Sequence, residues 1–490
     1  MFRDGFMFGA SMSGFQFEMG VSDDSIDENT DWYSWVHDSA NIFSGMVSGD
    51  LPEDGPGYWD NYGRIHDLMR ECGMNVVRIG LEWSRIFPRS TESVEVEVKG
   101  DGERIIEVDL NRRVLSELDE IANHSAIDRY KNMIEDAKSK GMKVILDLSH
   151  FTLPIWIHDP VSVNRKLEGK KGWVDATSVV EFSKYAVYMA WKFGDLPDIW
   201  MTMNEPQIVS QLGYLSVKAG FPPAVSNMDW YFESLKNQMQ AHARAYELMK
   251  RFTSRKIGFV YSFTWIDGED DEAIEEADNF INRYYVDGLV LGKVGDEMRR
   301  DLMGKTDIVG VNYYTRTVVD SNDEPMDFGM YRMKWRIKAG YGYSCESSSF
   351  SEDGRPSSDF GWEIYPEGLL KILRELKRRY CIPLIVTENG IADSDDVLRP
   401  YFLVSHLYAV EKALDEGVEV LGYLHWSIVD NYEWSSGYSK RFGLAETDYA
   451  VKDYHPRPSY YIFKEIIADG GTERFRNYLH SPYEIWEEEE

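Results

Sequence analysis

Ile199-Trp200-Met201-Thr202-Met203-Asn204-Glu205-Pro206 reads as a short apolar β-strand, Ile199 to Met203, that runs out into an amide and a carboxylate. Seven more short β-rich runs recur along the chain: Phe6 to Ala10, Val76 to Glu82, Lys143 to Ser149, Lys256 to Phe263, Asp307 to Asn312, Pro383 to Thr387 and Val418 to His425. Between them lie amphipathic stretches. Trp59, Tyr62, Ile65, Met69 and Cys72 recur at helical spacing, as do Ile127, Tyr130, Ile134 and Ala137. Eight strands alternating with helices predict an α/β chain, a single (β/α)8 TIM barrel over residues 1–490. An open doubly wound sheet is the competing arrangement. The extra length falls in insertions after predicted strands: 23–57 near the start, 89–125 after strand two, a segment after strand three and 315–365 after strand six. In a barrel, the loops following strands build the active-site face.

Composition narrows the function. With 53 Lys and Arg against 84 Asp and Glu, the chain has a net charge of −31 at pH 7. Such a surface repels nucleic acid and anionic lipid headgroups, so neither is an expected partner. The three cysteines, Cys72, Cys345 and Cys381, form no framework and no C-x-x-C pair, which fits a reducing compartment. The apolar start from Phe6 to Phe17 is interrupted by Gln16 and reads as a strand rather than a signal peptide. No apolar window reaches the roughly 20 residues of a membrane helix, so a soluble, cytoplasmic protein is expected. Glu487 to Glu490 reads as a solvated tail. Aromatic residues make up 14% of the chain, and aromatic faces suit the C–H face of a pyranose as well as a protein core.

The strand ends carry the chemistry: Arg78 and Glu82, His150, Asn204 and Glu205, Asn312 and Tyr314, Glu388 and Asn389, His425 and Trp426. On a barrel these would converge on one mouth. Glu205 closes strand four and Glu388 closes strand seven. Two carboxylates facing each other across a cleft are what glycosidic bond cleavage needs, with a gap of roughly 5–5.5 Å for retention and a wider one for inversion.

Asn204-Glu205-Pro206, Thr387-Glu388-Asn389-Gly390, the opening Phe8-Gly9-Ala10 through Gln16, and His425-Trp426-Ser427 through Glu433-Trp434 resemble family 1 glycoside hydrolases, with the closest likeness to the archaeal β-glycosidases. Arg78, the segment Leu81 to Arg85 and Asp359-Phe360-Gly361-Trp362 belong to the same resemblance. It implies a retaining double displacement, with Glu388 as nucleophile and Glu205 as acid and then base. Arg78 and Tyr314 resemble the nucleophile's partners, a cation and a phenolic donor that favour an ionised carboxylate. Gln16, His150, Asn204, Asn312, Trp362, Trp426, Glu433, Trp434 and Phe442 match substrate-binding positions. Glu433 would accept from sugar hydroxyls near C4 and C6, Trp426 would lie beneath the ring and Trp434 would add an indole donor. No cofactor and no metal is implied. By resemblance alone the chain is expected to assemble as a homo-oligomer, a tetramer.

Two positions depart from the family pattern. Phe151 follows the site histidine where the family usually has Trp, which keeps an aromatic face and removes an N–H donor. Lys440 matches one element of the phosphate-binding set of 6-phospho-β-glycosidases, yet that branch has Ser and Tyr where this chain has Glu433 and Phe442. A carboxylate beside C6 would repel a phosphate, so unphosphorylated β-glucosides and β-galactosides are the expected substrates. The alternatives are a 6-phospho-β-glycosidase, a transglycosylase on the same scaffold, or a noncatalytic sugar-binding protein.

Overall fold

Eight parallel strands close on themselves: β1 (Met7–Met12), β2 (Val76–Gly80), β3 (Lys143–Asp147), β4 (Ile199–Asn204), β5 (Lys256–Gly268), β6 (Ile308–Phe328), β7 (Leu384–Asn389) and β8 (Val420–His425). Each pairs with its sequence neighbours, and β8 pairs with β1, so the ring has no edge and the open-sheet alternative falls. The computed structural model describes residues 1–328 and 331–479. The acidic run 487–490 lies outside the described residues.

Alternation of side chains along each strand fixes what fills the barrel. Met7, Val76, Ile145, Ile199, Val260, Ile308, Ile385 and Leu424, one from every strand, pack into a single apolar plug at the bottom. Two residues further on, the same face presents Arg78, Asp147, Ser262 and Thr387, so the plug gives way to polar groups at the C-terminal end. The other faces of the strands pack against the surrounding helices. One of these, Tyr58–Cys72, buries Ile65, Met69 and Cys72 and ends at Gly73, whose φ of +89° suits glycine. Each fully buried apolar side chain of this kind contributes roughly 1.5–3 kcal/mol.

The sixth strand overruns its expected end. The residues from Thr315 onward, expected as loop, continue β6 to Phe328, and this extension pairs with an antiparallel strand at Tyr331–Ile337. The reason is that β5 also runs on, to Gly268, and offers Thr317-Val318-Val319 a ladder to pair with. The insertion 89–125 holds a two-stranded hairpin and a helix, Arg112–Ile121, and 23–57 holds short helices at Asp31–His37 and Ser39–Phe43. Among the described residues, no helix is long and apolar enough to cross a membrane. All three cysteines are free.

Candidate active site

The ladders slip where the site begins. Val311 of β6 pairs with Val386 of β7, but Asn312 pairs with Glu388, and the β4–β5 and β7–β8 ladders slip at the same end. Such irregularities re-aim side chains. Glu205 adopts a left-handed backbone (φ +49°, ψ +55°) between β4 and the helix Pro206–Tyr214, as does Phe151 (φ +73°) after β3 and Trp434 (φ +49°) after β8. Non-glycine residues rarely sit there, and the surrounding packing has to hold them.

These elements enclose a cavity of about 560 Å³ at the C-terminal mouth. Glu388 has a partner on each oxygen. Arg78 Nη1 donates to Oε1 at 2.5 Å and Tyr314 Oη donates to Oε2 at 2.7 Å. Arg78 Nη2 also donates to Asp147 Oδ2 (2.5 Å) and Asn204 Oδ1 (2.7 Å). Burial works against the Arg78 cation, but Asp147 and Glu388 outweigh it, and its pKa stands above the ordinary value. Burial, then Glu388, pushes the Tyr314 phenol up as well, so it stays a donor.

Glu205 has the opposite surroundings. Asn312 Nδ2 donates to its Oε1 at 2.7 Å, and among the described residues no cation bonds it. Burial and then the charge of Glu388 push its pKa up to about 8. Asn312 was expected to bind substrate; its amide hydrogens go instead to Asn204 Oδ1 and Glu205, and its oxygen accepts from Thr387. It stands behind the cavity wall and orients Glu205.

Around this pair the wall is polar on one side. Asn204 Nδ2 lies 3.2 Å from His150 Nε2, and His150 Nδ1 lies 3.4 Å from both Asp147 Oδ2 and Arg78 Nη2. Gln16 Nε2 reaches the carbonyl of Tyr432 (3.0 Å) and Glu433 (3.3 Å), and Asn431 donates to Glu433 at 3.0 Å. Burial pushes the Glu433 pKa up to about 7. Trp426 lines the cavity, 5.8 Å from His150 and nearly parallel to it. Trp434 stacks on Phe15 at 5.8 Å and contacts Phe151 at 4.9 Å. Trp362 lies parallel to Phe360 at 4.5 Å and edges against Tyr314, with Phe442 beside it.

Like Asn312, the strand-end residues Glu82, Asn389 and His425 do not line the cavity. Glu82 lies beyond β2, buried behind the wall. Asn389 donates to the Tyr313 carbonyl and accepts from Tyr423, and His425 packs against Tyr423 and Phe463. Lys440 is also spent elsewhere: Nζ donates to the carbonyl of Asp359 at 2.6 Å and lies over the Phe360 ring. Asp147 was missed, although an acid inside the apolar run Val144 to Leu148 was a visible signal. Ile208, Leu212, Phe221, Ile281 and Ile337, which also line the cavity, carried none, because isolated apolar residues read as core. Among the described residues, no cluster of His, Cys, Asp or Glu is arranged to hold a metal ion.

A closed barrel whose mouth buries two carboxylates of opposite character, one flanked by a cation and a phenol and the other kept protonated, defines a glycoside hydrolase. The sequence matches the model of glycosyl hydrolase family 1 over residues 1–101 and 112–472, and the chain belongs to that family, as a retaining β-glycosidase. It is 46% identical to a β-galactosidase of Sulfolobus acidocaldarius over 96% of both chains. Among solved structures, the β-glycosidase of Thermosphaera aggregans superposes with a TM-score of 0.93 at 44% identity, covering 97% of this chain and 99% of that one. A β-glucosidase mutant described as derived from a hyperthermophilic tetrameric structure is similar at a TM-score of 0.89 and 42% identity, over 99% of both chains.

Proposed function

We propose that the enzyme removes terminal β-linked glucose or galactose from small glycosides, with Glu388 as nucleophile and Glu205 as acid and base. The observation that carries this reading is the contrast between the two carboxyls. Glu388 attacks the anomeric carbon as the glycosidic C–O bond breaks, and the proton of Glu205 goes to the leaving oxygen. With Glu388 esterified, its charge no longer opposes ionisation of Glu205, which then takes a proton from the attacking water. Arg78 and Tyr314 steady Glu388 before attack and after release. Gln16, His150, Asn204 and Glu433 supply the hydrogen bonds of the sugar's hydroxyls, with Trp426, Trp434, Trp362 and Phe442 as the surrounding aromatic wall. Near neutrality Glu433 can donate as well as accept, which suits both C4 epimers.

The leaving group faces a different surface. Ile208, Leu212, Phe221, Ile281 and Ile337 line that side, and several polar neighbours are already engaged: Thr264 with Thr315 O and Thr317, Ser435 with Ala219 O, and the Gln207 amide with Ser262 O. Such a wall favours alkyl or aryl leaving groups over a second sugar. The position of Lys440 argues against a phosphorylated sugar. The free cysteines fit a cytoplasmic enzyme, and the tetramer described for a similar β-glucosidase supports a homo-oligomer, which size exclusion with light scattering tests.

The deciding experiment measures kcat/KM on chromogenic β-glucoside, β-galactoside and β-glucoside 6-phosphate for the wild type and Glu388→Gln. Turnover of the neutral sugars and at least about a thousandfold loss in the variant are expected. Wild-type rates in the variant would overturn the assignment of Glu388.

A further inference from the structure

Glu82 is 1% exposed and absent from the cavity wall, yet it touches both segments that carry the sugar-binding residues. Its Oε1 accepts from the backbone N–H of Phe15 at 2.8 Å, and Phe15 immediately precedes Gln16. Its Oε2 bonds Thr152 Oγ1 at 2.6 Å, and Thr152 closes the left-handed turn at Phe151 that follows His150. The backbone N–H of Glu82 donates to Tyr130 Oη, which in turn donates to Glu18. The approach to Phe15 is possible because residue 14 is glycine: a Cβ there would stand 2.5 Å from the Glu82 carboxylate. We propose that Glu82 is a positioning residue, a two-handed clasp that fixes Gln16 from one loop and His150 from another in the geometry that reads the sugar.

The inference rests on the glycosidase reading. Thr152 N–H bonds the carbonyl of His150 at 2.9 Å, so the hydroxyl of Thr152 is the tether by which Glu82 holds the strained turn in place. Glu82 shares its buried pocket with Glu18 and Asp27, and Arg85 bonds Glu18 there. Burial, then those two acids, push its pKa well above the ordinary range. Thr152 Oγ1 donates to Oε2 as the Phe15 N–H donates to Oε1. A glutamine keeps the acceptor for Phe15 and sets its amide N–H against Thr152 Oγ1, whose lone pairs can accept it, so both contacts survive. Replacement by an apolar side chain removes a repelled acid, so the fold is expected to survive it.

The test compares Glu82→Gln, Glu82→Met and Thr152→Val. KM and kcat are measured on the chromogenic glucoside, with the inhibition constant of free glucose and the unfolding midpoint of each variant. Glu82→Met is expected to raise both KM and the glucose inhibition constant about tenfold. Thr152→Val, which cuts one arm of the clasp and keeps the side-chain shape, raises them by about threefold. Glu82→Gln stays within about twofold of the wild type, and the unfolding midpoints of Thr152→Val and wild type coincide. Sugar constants unchanged in folded Glu82→Met and Thr152→Val overturn the proposal, as does a Glu82→Gln variant as damaged as Glu82→Met. Wild-type turnover reports separately on the glycosidase reading, so unchanged constants in an active enzyme count against Glu82 alone.

Discussion

The Arg78 guanidinium stands 2.5 Å from a carboxylate oxygen of Glu388, with the arginine 1% and the glutamate 3% exposed. An ion pair this dry is weak evidence for stability but strongly shapes what happens when one member is removed. Arg78→Met leaves Glu388 and Asp147 without their cation. The variant is expected to lose at least about a hundredfold in kcat/KM on the chromogenic glucoside. A loss below about threefold would show that Tyr314 alone suffices to prepare Glu388.

Glu205 works as an acid only while it holds its proton, and burial with the charge of Glu388 sets its pKa at about 8. In the free enzyme kcat/KM is therefore expected to fall about tenfold per pH unit above that value, the alkaline limb of a bell whose acid limb belongs to the nucleophile. The alkaline limb should vanish in Glu205→Gln, whose residual rate depends on how good the leaving group is. A pH profile with substituted phenyl glycosides tests both points.

The same shift makes a statement about stability. The folded protein holds the Glu205 proton more tightly than the unfolded chain does. The stabilisation this gives is complete below the usual carboxylate range and is lost as the pH rises through about 8. Glu205→Gln removes that loss. Its melting temperature is expected to exceed the wild type's by a margin that grows by a few degrees between about pH 5 and about pH 8. A constant margin in thermal scans would mean that Glu205 titrates normally.

Ile337 is 53% exposed although it lines the cavity, and Ile208 lies one turn into the helix that follows Glu205. Changing both to serine is expected to lower kcat/KM for an octyl glucoside about tenfold and to leave cleavage of a disaccharide within about threefold. Equal losses on the two substrates would put the leaving group elsewhere.

Much of the barrel was legible because each strand is a short apolar run that ends in a polar residue, and the plug residues Val76, Ile145 and Val260 sit two positions before Arg78, Asp147 and Ser262. The carboxylates were legible through their motifs. The length of β6 was not, because pairing with an equally overlong β5 is a tertiary effect that local composition around Thr315 does not announce. Asn312 was read as a ligand of the sugar since a strand-end amide looks alike whether it faces the cavity or a catalytic glutamate. Glu82 and His425 show the limit of the strand-end rule: two residues beyond a strand, or one step of alternation, turns a side chain away from the mouth.

Gln16 and Glu433 meet across 417 residues of chain because the first strand of the ring is zipped to the last. The sugar pocket is therefore assembled from segments far apart in the chain and depends on closure of the whole ring. Nascent chains that stop short of β8 lack the seam between Met7 and Gly422 and half of the sugar pocket with it. A chain cut before β8 keeps both glutamates of the chemistry but has no seat for the sugar.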